Sequence, residues 1–338
     1  MEYRVCDNKY GIVKDVLQKE FKFSKRLILK LKKENRIFVN GVPQFVNFSL
    51  NDNDIVKVDL NFEEECDNIV PYEMDLEIVY EDDFLIILNK PPKIETHPTV
   101  LNFDKTLSNG LKFYFDKIGL KRKIRPVNRL DKDTSGLIVF AKNQFVQEEL
   151  VKQMKDNSFV KEYIAVVQGD VFQDKGEIVA SIARKEGSIL ERCVDEVNGV
   201  FAKTRFEVLE RIDLSEFGDS SALKARSASS AKNIAPVNKL NKLVTSEQNS
   251  NNSNFKKITV VKLKLETGRT HQIRVHMKYI GHPLIGDFLY GERSDLIDRQ
   301  ALHSYKLEFL HPVSNEKMVF EISLADDILN FLSKWGRP

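Results

Sequence analysis

Alternating apolar and polar residues recur along the chain and predict a fold rich in β-strands. Between residues 259 and 267, Val261, Leu263 and Leu265 point to one face, while charged residues occupy the other. Further strands are predicted at residues 76–80, 84–89, 136–142 and 163–169. Because these strands outnumber the helices and do not alternate regularly with them, we expect an α+β fold. Its sheet should be mixed, mostly antiparallel, and flanked by helices and loops.

Apolar residues spaced three or four apart predict three helices with recognisable ends. The inward-facing residues are Leu27, Ile28 and Leu31 in the first helix, Val146, Leu150 and Met154 in the second, and Ile273, Met277 and Ile280 in the third. Ser24, Asn143 and Thr270 are placed to cap the first turns, and Gly281 is a natural C-terminal stop for the third helix.

The chain divides into two units of different composition. Residues 1–60 combine a basic helix with short strands around an Asn40-Gly41 turn, and they form a small N-terminal unit of α/β type. Residues 61–73 are acidic and lack a repeating pattern, which predicts a linker. Residues 74–338 form the second, larger unit.

One segment of the larger unit has the composition of a disordered insertion. From about residue 212 to residue 254 the chain is rich in Ser, Ala, Asn and Lys and poor in aromatic residues. Such a segment cannot bury enough apolar surface to offset the entropy lost on ordering. We therefore expect an insertion between a strand that ends near Glu210 and the strand that begins at Thr259.

Composition and charge narrow the class of protein. The 338 residues are 42% hydrophobic and 30% charged, no apolar run reaches membrane-spanning length, and no signal-peptide pattern opens the chain. Three scattered cysteines argue against a disulfide framework or a zinc site, so we expect a cytoplasmic protein. The net charge is only +2, so affinity for nucleic acid must come from local patches. Residues 14–36 form such a basic patch, with nine Lys or Arg and three acidic residues.

A lone carboxylate stands at a conspicuous position. Asp131, in the stretch "NRLDKDTSGL", lies between Arg129 and Lys132, just ahead of a predicted strand. Tyr163 begins another predicted strand in "KEYIA", two residues after the basic Lys161. A surface aspartate is usually just solvated, and a tyrosine at a strand start usually packs against its neighbours. Neither residue alone therefore identifies a reactive site.

Basic residues surround the predicted start of the third helix. In the segment "TGRTHQIRVHMKYIGHPLIGDFLYG" these are Arg269, His271, Arg274 and Lys278. Such a helix start suits an anion, which can be a phosphate or the carboxylate of Asp131. A metal site is not expected, because His271 and His276 do not share a helix face well and no cysteine is near. The final "GDFLYG" is typical of a tight turn.

Five stretches in one order carry a family resemblance. They are "NKPPKIETHP", "NRLDKDTSGLIVFAK", "KEYIAVVQG", "TGRTHQIRVHMKYIGHPLIGD" and "ALHSYKLEFLHP". Together they resemble the RluA-type family of RNA pseudouridine synthases over nearly the whole chain. The resemblance implies an isomerase that converts uridine in RNA to pseudouridine without a cofactor. Whether the carboxylate attacks ribose C1′ or removes a sugar proton stays open.

The resemblance also implies a role for each matching residue. Asp131 matches the catalytic aspartate and Arg274 the arginine paired with that aspartate. Tyr163 matches the active-site tyrosine, for which the resemblance implies stacking on the base and a possible role as general base. We expect the planar fork of Arg274 to hold both oxygens of Asp131. Arg129 matches the residue that helps extrude the target base, and Ile273 would form a wall of the uracil pocket. Further RNA contacts are expected from Arg269, His271 and Lys278.

The N-terminal unit resembles the S4 RNA-binding module over about residues 10–60. That resemblance implies contacts with the RNA backbone, for which Lys25, Arg26 and Lys30 on the basic helix are the candidates. An S4-like unit ahead of a synthase unit fits the ribosomal-RNA members of the family. We therefore expect 23S ribosomal RNA as the partner of a monomeric protein without metal.

One departure and two alternatives remain. Many members of the family have a histidine directly before "RLD", where this chain has Asn128, which cannot titrate. The chain could instead be a non-catalytic RNA-binding or ribosome-assembly protein, although Asp131, Tyr163 and Arg274 together argue against that. It could also be a hydrolase acting on RNA or nucleosides, although glycoside hydrolysis generally needs a second carboxylate, and the sequence offers no metal cluster or Ser-His-Asp order.

Overall fold

The computed structural model of the protein describes residues 1–100, 102–217, 256–294 and 297–335. The strands are β1 Glu2–Arg4, β2 Ile37–Val39, β3 Val42–Pro43, β4 Ile55–Val58, β5 Ile78–Glu81, β6 Leu85–Lys90, β7 Arg125–Pro126, β8 Ser135–Ala141, β9 Val160–Gln168, β10 Lys175–Val179, β11 Ile182–Arg184, β12 Arg192–Val194, β13 Lys203–Asp213, β14 Lys257–Leu265, β15 Leu302–Leu310 and β16 Lys317–Glu321. The α-helices are α1 Val13–Asp15, which continues as a π-helical turn Val16–Glu20, α2 Lys25–Lys33, α3 Leu107–Lys117, α4 Gln144–Lys155, α5 Gln272–Tyr279 and α6 Asp326–Ser333. A short 3-10 helix follows β13 at Leu214–Phe217.

A large mixed sheet organises the second unit. Its strands follow the order β10-β13-β14-β9-β15-β8-β6-β5, with β16 added beside β15 and β7 beside β8. The pairing of β8 with β15 is parallel, and the other pairings given for this sheet are antiparallel. The predicted α+β class with a mixed, mostly antiparallel sheet is therefore confirmed.

Strand β8 is buried on both faces, which explains its continuous apolar sequence. Leu137 and Val139 pack into one hydrophobic core, and Ile138 and Phe140 pack into another on the opposite face. Gly136, at φ 110°, pairs with Ser304 of β15, and a Cβ atom there would collide with the backbone of Ser304. The loop that carries Asp131 enters the sheet directly through this strand.

The three predicted helices are present, and two have the expected caps. The side chain of Ser24 accepts a hydrogen bond from the backbone N–H of Leu27, and that of Asn143 accepts one from Val146. In the third helix the prediction of Thr270 as cap is wrong, because helix α5 begins after His271, which has a positive φ of 58°. Gly281, at φ 87°, ends this helix as predicted.

The N-terminal unit is a four-stranded sheet with helix α2 beside it. The strand order is β1-β4-β2-β3, and Asn40 and Gly41 make the turn between β2 and β3 with φ values of 50° and 80°. Leu27, Ile28 and Leu31 of α2 are buried, as their spacing predicts. The same hydrophobic core continues into the larger unit, where Phe23 packs edge-on against Phe145 with ring centroids 5.0 Å apart.

The acidic segment 61–73 connects the two units and packs against them through four of its side chains. Phe62, Glu64, Cys66 and Ile69 are all buried. Its other acidic residues are exposed, as expected of a linker, whereas Glu64 is paired with a cation of each unit, Lys30 and Arg125. The segment therefore remains largely exposed but is anchored to both units.

The predicted insertion begins later than its composition suggests. Strand β13 extends to Asp213, beyond the expected end near Glu210, and both Ile212 and Leu214 are buried in a core with Ile258. The remainder of the predicted insertion, residues 218–254, lies outside the described residues. No helix in the described part of the chain has the length and apolar character needed to cross a membrane.

Candidate active site

Two buried cations fix the loop that carries Asp131. The ammonium group of Lys90 donates hydrogen bonds to the carbonyl oxygens of Pro91, Ile94 and Lys132, at 2.7–2.8 Å. Burial lowers the pKa of Lys90 to about 7. The fully buried Arg299 donates from Nη1 to the carbonyl oxygen of Asp133, 2.9 Å away. The loop is thus held by its backbone, which leaves the side chain of Asp131 available to the surface.

Arg274 faces Asp131 but uses its fork elsewhere. Its Nη1 atom lies 3.5 Å from Oδ2 of Asp131. Its Nε and Nη2 atoms donate to the two carboxylate oxygens of Asp287, at 2.6 and 2.7 Å. The expected two-pronged grip of Arg274 on Asp131 is therefore wrong. Because Asp287 is fully buried, it takes the bidentate contact, and one nitrogen remains for Asp131.

Tyr290 completes the support of Arg274. The guanidinium carbon lies 4.9 Å from the centre of the Tyr290 ring, a cation–π arrangement. The Tyr290 hydroxyl is 2.8 Å from Nδ1 of His271, and it accepts a hydrogen bond from the backbone N–H of Arg192. Arg274 is thereby fixed from two sides before any substrate binds.

His271 approaches Asp131 from the start of helix α5. Its Nε2 atom is 3.9 Å from Oδ2 of Asp131. Burial lowers the pKa of His271, so the ring is neutral at neutral pH and Arg274 supplies the positive charge. The left-handed backbone at His271 is stabilised by Gln272, whose side-chain oxygen accepts hydrogen bonds from Thr267 Oγ1 and from the backbone N–H of Arg269. This closed loop takes the place of the predicted Thr270 cap.

Tyr163 lies on β9, between Leu263 of β14 and Ser304 of β15. It is 4% exposed, and its ring belongs to a hydrophobic core of the sheet. Burial and the negative charge of Asp131 raise the pKa of Tyr163, partly opposed by a hydrogen bond with Ser304. The phenol therefore stays protonated at neutral pH.

Asp131, Tyr163, His271 and Arg274 line one open cleft of about 370 Å³, a volume that includes solvent at its mouth. The lining consists of Arg129, Leu130, Asp131, Thr134, Tyr163, Leu265, Arg269, His271, Gln272, Ile273, Arg274 and Leu302. The structure thus brings together the three predicted catalytic residues and four of the predicted RNA-contacting residues. No group of three or more His, Cys, Asp or Glu side chains within the described ranges is arranged to hold a metal ion.

The predicted RNA-contacting residues differ in availability. Arg129 and Lys278 are exposed, and Lys278 Nζ lies 5.7 Å from the centre of the Tyr290 ring. Arg269 is exposed and donates from Nε to the carbonyl oxygen of Phe201. On helix α2 of the N-terminal unit, Lys25 and Arg26 are exposed.

Lys30, predicted to contact RNA, is engaged within the protein. Its ammonium group lies 2.5 Å from Oε1 of the buried Glu64 and 4.0 Å from the centre of the Phe62 ring. Arg125 of the larger unit contacts the same carboxylate at 2.7 Å. Lys30 therefore joins the two units and is not a free cation for RNA.

Asn128, which departs from the family's usual histidine, has a structural role. It is 7% exposed, and its side-chain oxygen accepts a hydrogen bond from the backbone N–H of Val139. This contact fastens the Asp131 loop to strand β8. An amide can do this at any pH, so no titratable group is needed at this position.

Sequence reasoning missed Asp287, Tyr290, Lys90 and Arg299. Asp287 and Tyr290 lie in "GDFLYG", which reads as a turn, and the turn is real: Oδ1 of Asp287 accepts hydrogen bonds from the backbone N–H groups of Leu289 and Tyr290. A usable signal was the presence of an acid inside a segment otherwise rich in basic residues.

Comparison with known proteins identifies the family. The sequence model described as RNA pseudouridylate synthase matches residues 84–279. A Bacillus subtilis (strain 168) protein described as an uncharacterized RNA pseudouridine synthase, YhcT, is 34% identical over 315 residues, which cover 93% of this chain and 90% of the relative. A ribosomal large subunit pseudouridine synthase D from Neisseria meningitidis is 34% identical over 313 residues, covering 89% of this chain and 72% of the relative.

Solved structures agree on the fold. A structure described as human RNA pseudouridylate synthase domain containing 1 superposes with a TM-score of 0.54 at 24% identity. The match covers 78% of this chain and 89% of that one. Because the family's sequence model covers more than half of the chain and relatives exceed 30% identity across most of it, the chain belongs to the RluA-type family of RNA pseudouridine synthases.

Proposed function

We propose that Asp131 is the carboxylate with which this RNA pseudouridine synthase isomerises uridine, and that its substrate is large-subunit ribosomal RNA. One observation carries the first part. Asp131, accessible at the cleft, faces a guanidinium at 3.5 Å, and Tyr163 lines the same cleft. A neighbouring guanidinium stabilises the anionic form of a carboxylate, which is the reactive form in either mechanism that the family allows.

The reaction fits this arrangement of groups. The bond between ribose C1′ and uracil N1 breaks, the uracil rotates, and a bond forms between C5 and C1′. The hydrogen at C5 leaves to water, and N1 regains a proton. Tyr163 and Ile273 would hold the freed base against their apolar surfaces. Bound RNA would cover the cleft and exclude water from C1′. Because Tyr163 stays protonated, it packs or donates rather than acting as a base at neutral pH.

Base extrusion is assigned to Arg129. A uridine within structured RNA must leave its stack to reach Asp131, at a cost of a few kcal/mol. Arg129 is exposed and lines the cleft two residues before Asp131. Among the described residues it makes no ion pair that would hold it back. It can therefore occupy the space that the base leaves.

Two observations support ribosomal RNA as the substrate. Relatives of 34% and 31% identity, from Neisseria meningitidis and Vibrio cholerae, are described as ribosomal large subunit pseudouridine synthase D. The N-terminal unit also resembles the S4 module, and its exposed Lys25 and Arg26 would contact the phosphate backbone of the RNA. Comparing the pseudouridines of 23S ribosomal RNA from cells with and without the gene would identify the modified uridine.

The reaction itself is tested with uridine labelled by tritium at C5 within ribosomal RNA. Isomerisation releases tritium to water and leaves the RNA chain intact. A non-catalytic RNA-binding protein would release none. A hydrolase would produce abasic RNA and free uracil, and either result would contradict the proposed function.

A further inference from the structure

Lys161 is a buried cation without a partner. It lies on β9 two residues before Tyr163, and 9% of its surface is exposed. Within the described ranges its ammonium group forms no hydrogen bond or ion pair, although its backbone pairs with Leu307 of β15. Burial alone lowers its pKa, with no carboxylate contributing in the opposite direction. Buried lysines are normally paired, so an unpaired one requires an explanation.

The ammonium group of Lys161 lies beside the candidate active site. Successive residues of a strand alternate between faces, so Lys161 continues the row of Tyr163, whose ring lines the cleft. Its Nζ lies 3.7 Å from the position that a Cβ atom would take on the exposed Gly268. The next residue, Arg269, also lines the cleft. Lys161 and Gly268 are not among the residues that line the cleft, but Gly268 adjoins Arg269 and has no side chain to cover the ammonium group.

We propose that Lys161 binds a phosphate group of the RNA next to the uridine that occupies the cleft. A compact ammonium with several free donors suits a phosphate oxygen. The cleft must hold an extruded nucleotide, whose flanking phosphates cannot stay in their helical positions and need new partners. Asp131 already has Arg274 as its counter-ion, so Lys161 is not needed for that role. The inference rests on the proposed function of the cleft.

A purely structural role of Lys161 would predict a different effect of its replacement than phosphate binding does. A lysine can be retained because its aliphatic stem fills space, and methionine would then replace it without loss. Lys161→Met keeps the stem and removes the charge. If Lys161 binds phosphate, this variant should fold normally but bind ribosomal RNA about tenfold or more weakly. The slope of log affinity against log salt should flatten by about 0.7 to 0.9.

A phosphate scan tests the contact directly. Synthetic fragments of 23S ribosomal RNA carry a neutral methylphosphonate at one position at a time, and binding is measured for wild type, Lys161→Met and Lys161→Arg. We expect one position near the target uridine where the substitution weakens the wild type and Lys161→Arg about tenfold but leaves Lys161→Met unaffected. Lys152→Met is the matched control, because Lys152 is an exposed lysine of α4 that pairs with Glu149.

Two results would overturn the inference. One is wild-type affinity and salt slope in Lys161→Met, and the other is a scan in which Lys161→Met loses affinity at the same positions as the wild type. If Lys161→Met does not fold, Gly268→Ala serves instead, because it sets a methyl group in front of the ammonium, and unchanged RNA binding there would count against the proposal. Failure of the wild type to form pseudouridine would contradict the proposed function but leave the binding scan as a separate result.

Discussion

Arg274 reaches Asp131 through one nitrogen because Asp287 holds the other two. A guanidinium gripped at two points and stacked on Tyr290 loses little further freedom when substrate binds. Asp287 is therefore a positioning residue, which acts on the reaction through Arg274. Its carboxylate touches neither the cleft nor Asp131 directly.

Replacing Asp287 should affect both stability and turnover. Asp287→Asn removes the buried carboxylate that grips Arg274 at two points and leaves only the longer contact with Asp131, so we expect the free energy of unfolding to fall by about 3 kcal/mol. Single-turnover pseudouridine formation should slow about tenfold to a hundredfold, because Arg274 is then free to turn away from Asp131. Asp170→Asn is the control, since Asp170 pairs at the surface with Arg211 and Lys257. A wild-type rate in Asp287→Asn would show that Arg274 needs no such support.

The sequence was informative about some residues of the site and silent about others. Asp131, Tyr163 and Arg274 were found because motifs of the family contain them in order. The pairing of Arg274 with Asp131 was predicted, but its two-pronged geometry was predicted wrongly, because a spacing along the chain does not tell which of two carboxylates the fork of Arg274 will meet. Lys30 was likewise assigned to RNA, since nothing local indicates that Glu64 folds back onto it.

The protonation of Tyr163 gives a prediction about pH. Its raised pKa keeps the phenol neutral well above the usual value of about 10, so no phenolate forms between about pH 7 and pH 9. The ratio of single-turnover rates of wild type and Tyr163→Phe should therefore be constant over that range. A wild-type rate that climbs with pH, while the rate of Tyr163→Phe stays flat, would mean that the phenolate acts as a base.

Among the elements, β8 links the fold to the chemistry most directly. Its first residues follow the Asp131 loop and pair in parallel with β15. On the other side of β15, Tyr163 of β9 pairs with Ser304, the same residue that pairs with Gly136. The strand itself could be predicted from its apolar run. Its parallel partner could not, because the pairing joins residues about 170 positions apart. Glycine is the only residue type that fits at position 136, because the φ there is 110° and the backbone of Ser304 occupies the space of a Cβ atom.

Gly136→Ala should therefore be costly in a way that an ordinary glycine substitution is not. We expect the free energy of unfolding, measured in urea, to fall by about 3 kcal/mol or more, because the new methyl group separates β8 from β15. Gly119→Ala is the matched control, since Gly119 also has a positive φ, of 70°, but open space around its Cβ position. That control should lose only about 1 kcal/mol. Equal losses in the two variants would show that the close approach is not limiting.

On the scale of the whole molecule, the N-terminal unit is docked rather than tethered. Phe23 and Phe145 share a core across the two units, and Glu64 bridges Lys30 and Arg125. Removing residues 1–60 would expose that core, so point variants test RNA binding more cleanly than a deletion. Composition could not anticipate the docking, because the acidic residues of segment 61–73 indicate solvent unless their partners are known.

The exposed cations of α2 should govern affinity for RNA. In the double variant Lys25→Gln/Arg26→Gln we expect weaker binding to ribosomal RNA and a salt slope flatter by about 0.7 to 0.9 for each lost phosphate contact. Turnover at saturating RNA should be preserved, since neither residue lines the cleft. Lys175→Gln/Lys185→Gln removes the same charge from lysines that pair with Glu207 and Glu191. An unchanged salt slope in the α2 variant would contradict the S4-like reading.

The proposed function depends above all on the carboxylate of Asp131. The most direct measurement is single-turnover formation of pseudouridine in ribosomal RNA by Asp131→Asn, with RNA binding and thermal stability measured in parallel. Asparagine keeps the shape of the side chain but removes its negative charge, and with it the capacity to attack C1′ or to accept a sugar proton. We predict normal folding, RNA affinity close to that of the wild type, and no detectable pseudouridine. Formation of pseudouridine by Asp131→Asn at the wild-type rate would contradict the assignment of the active site.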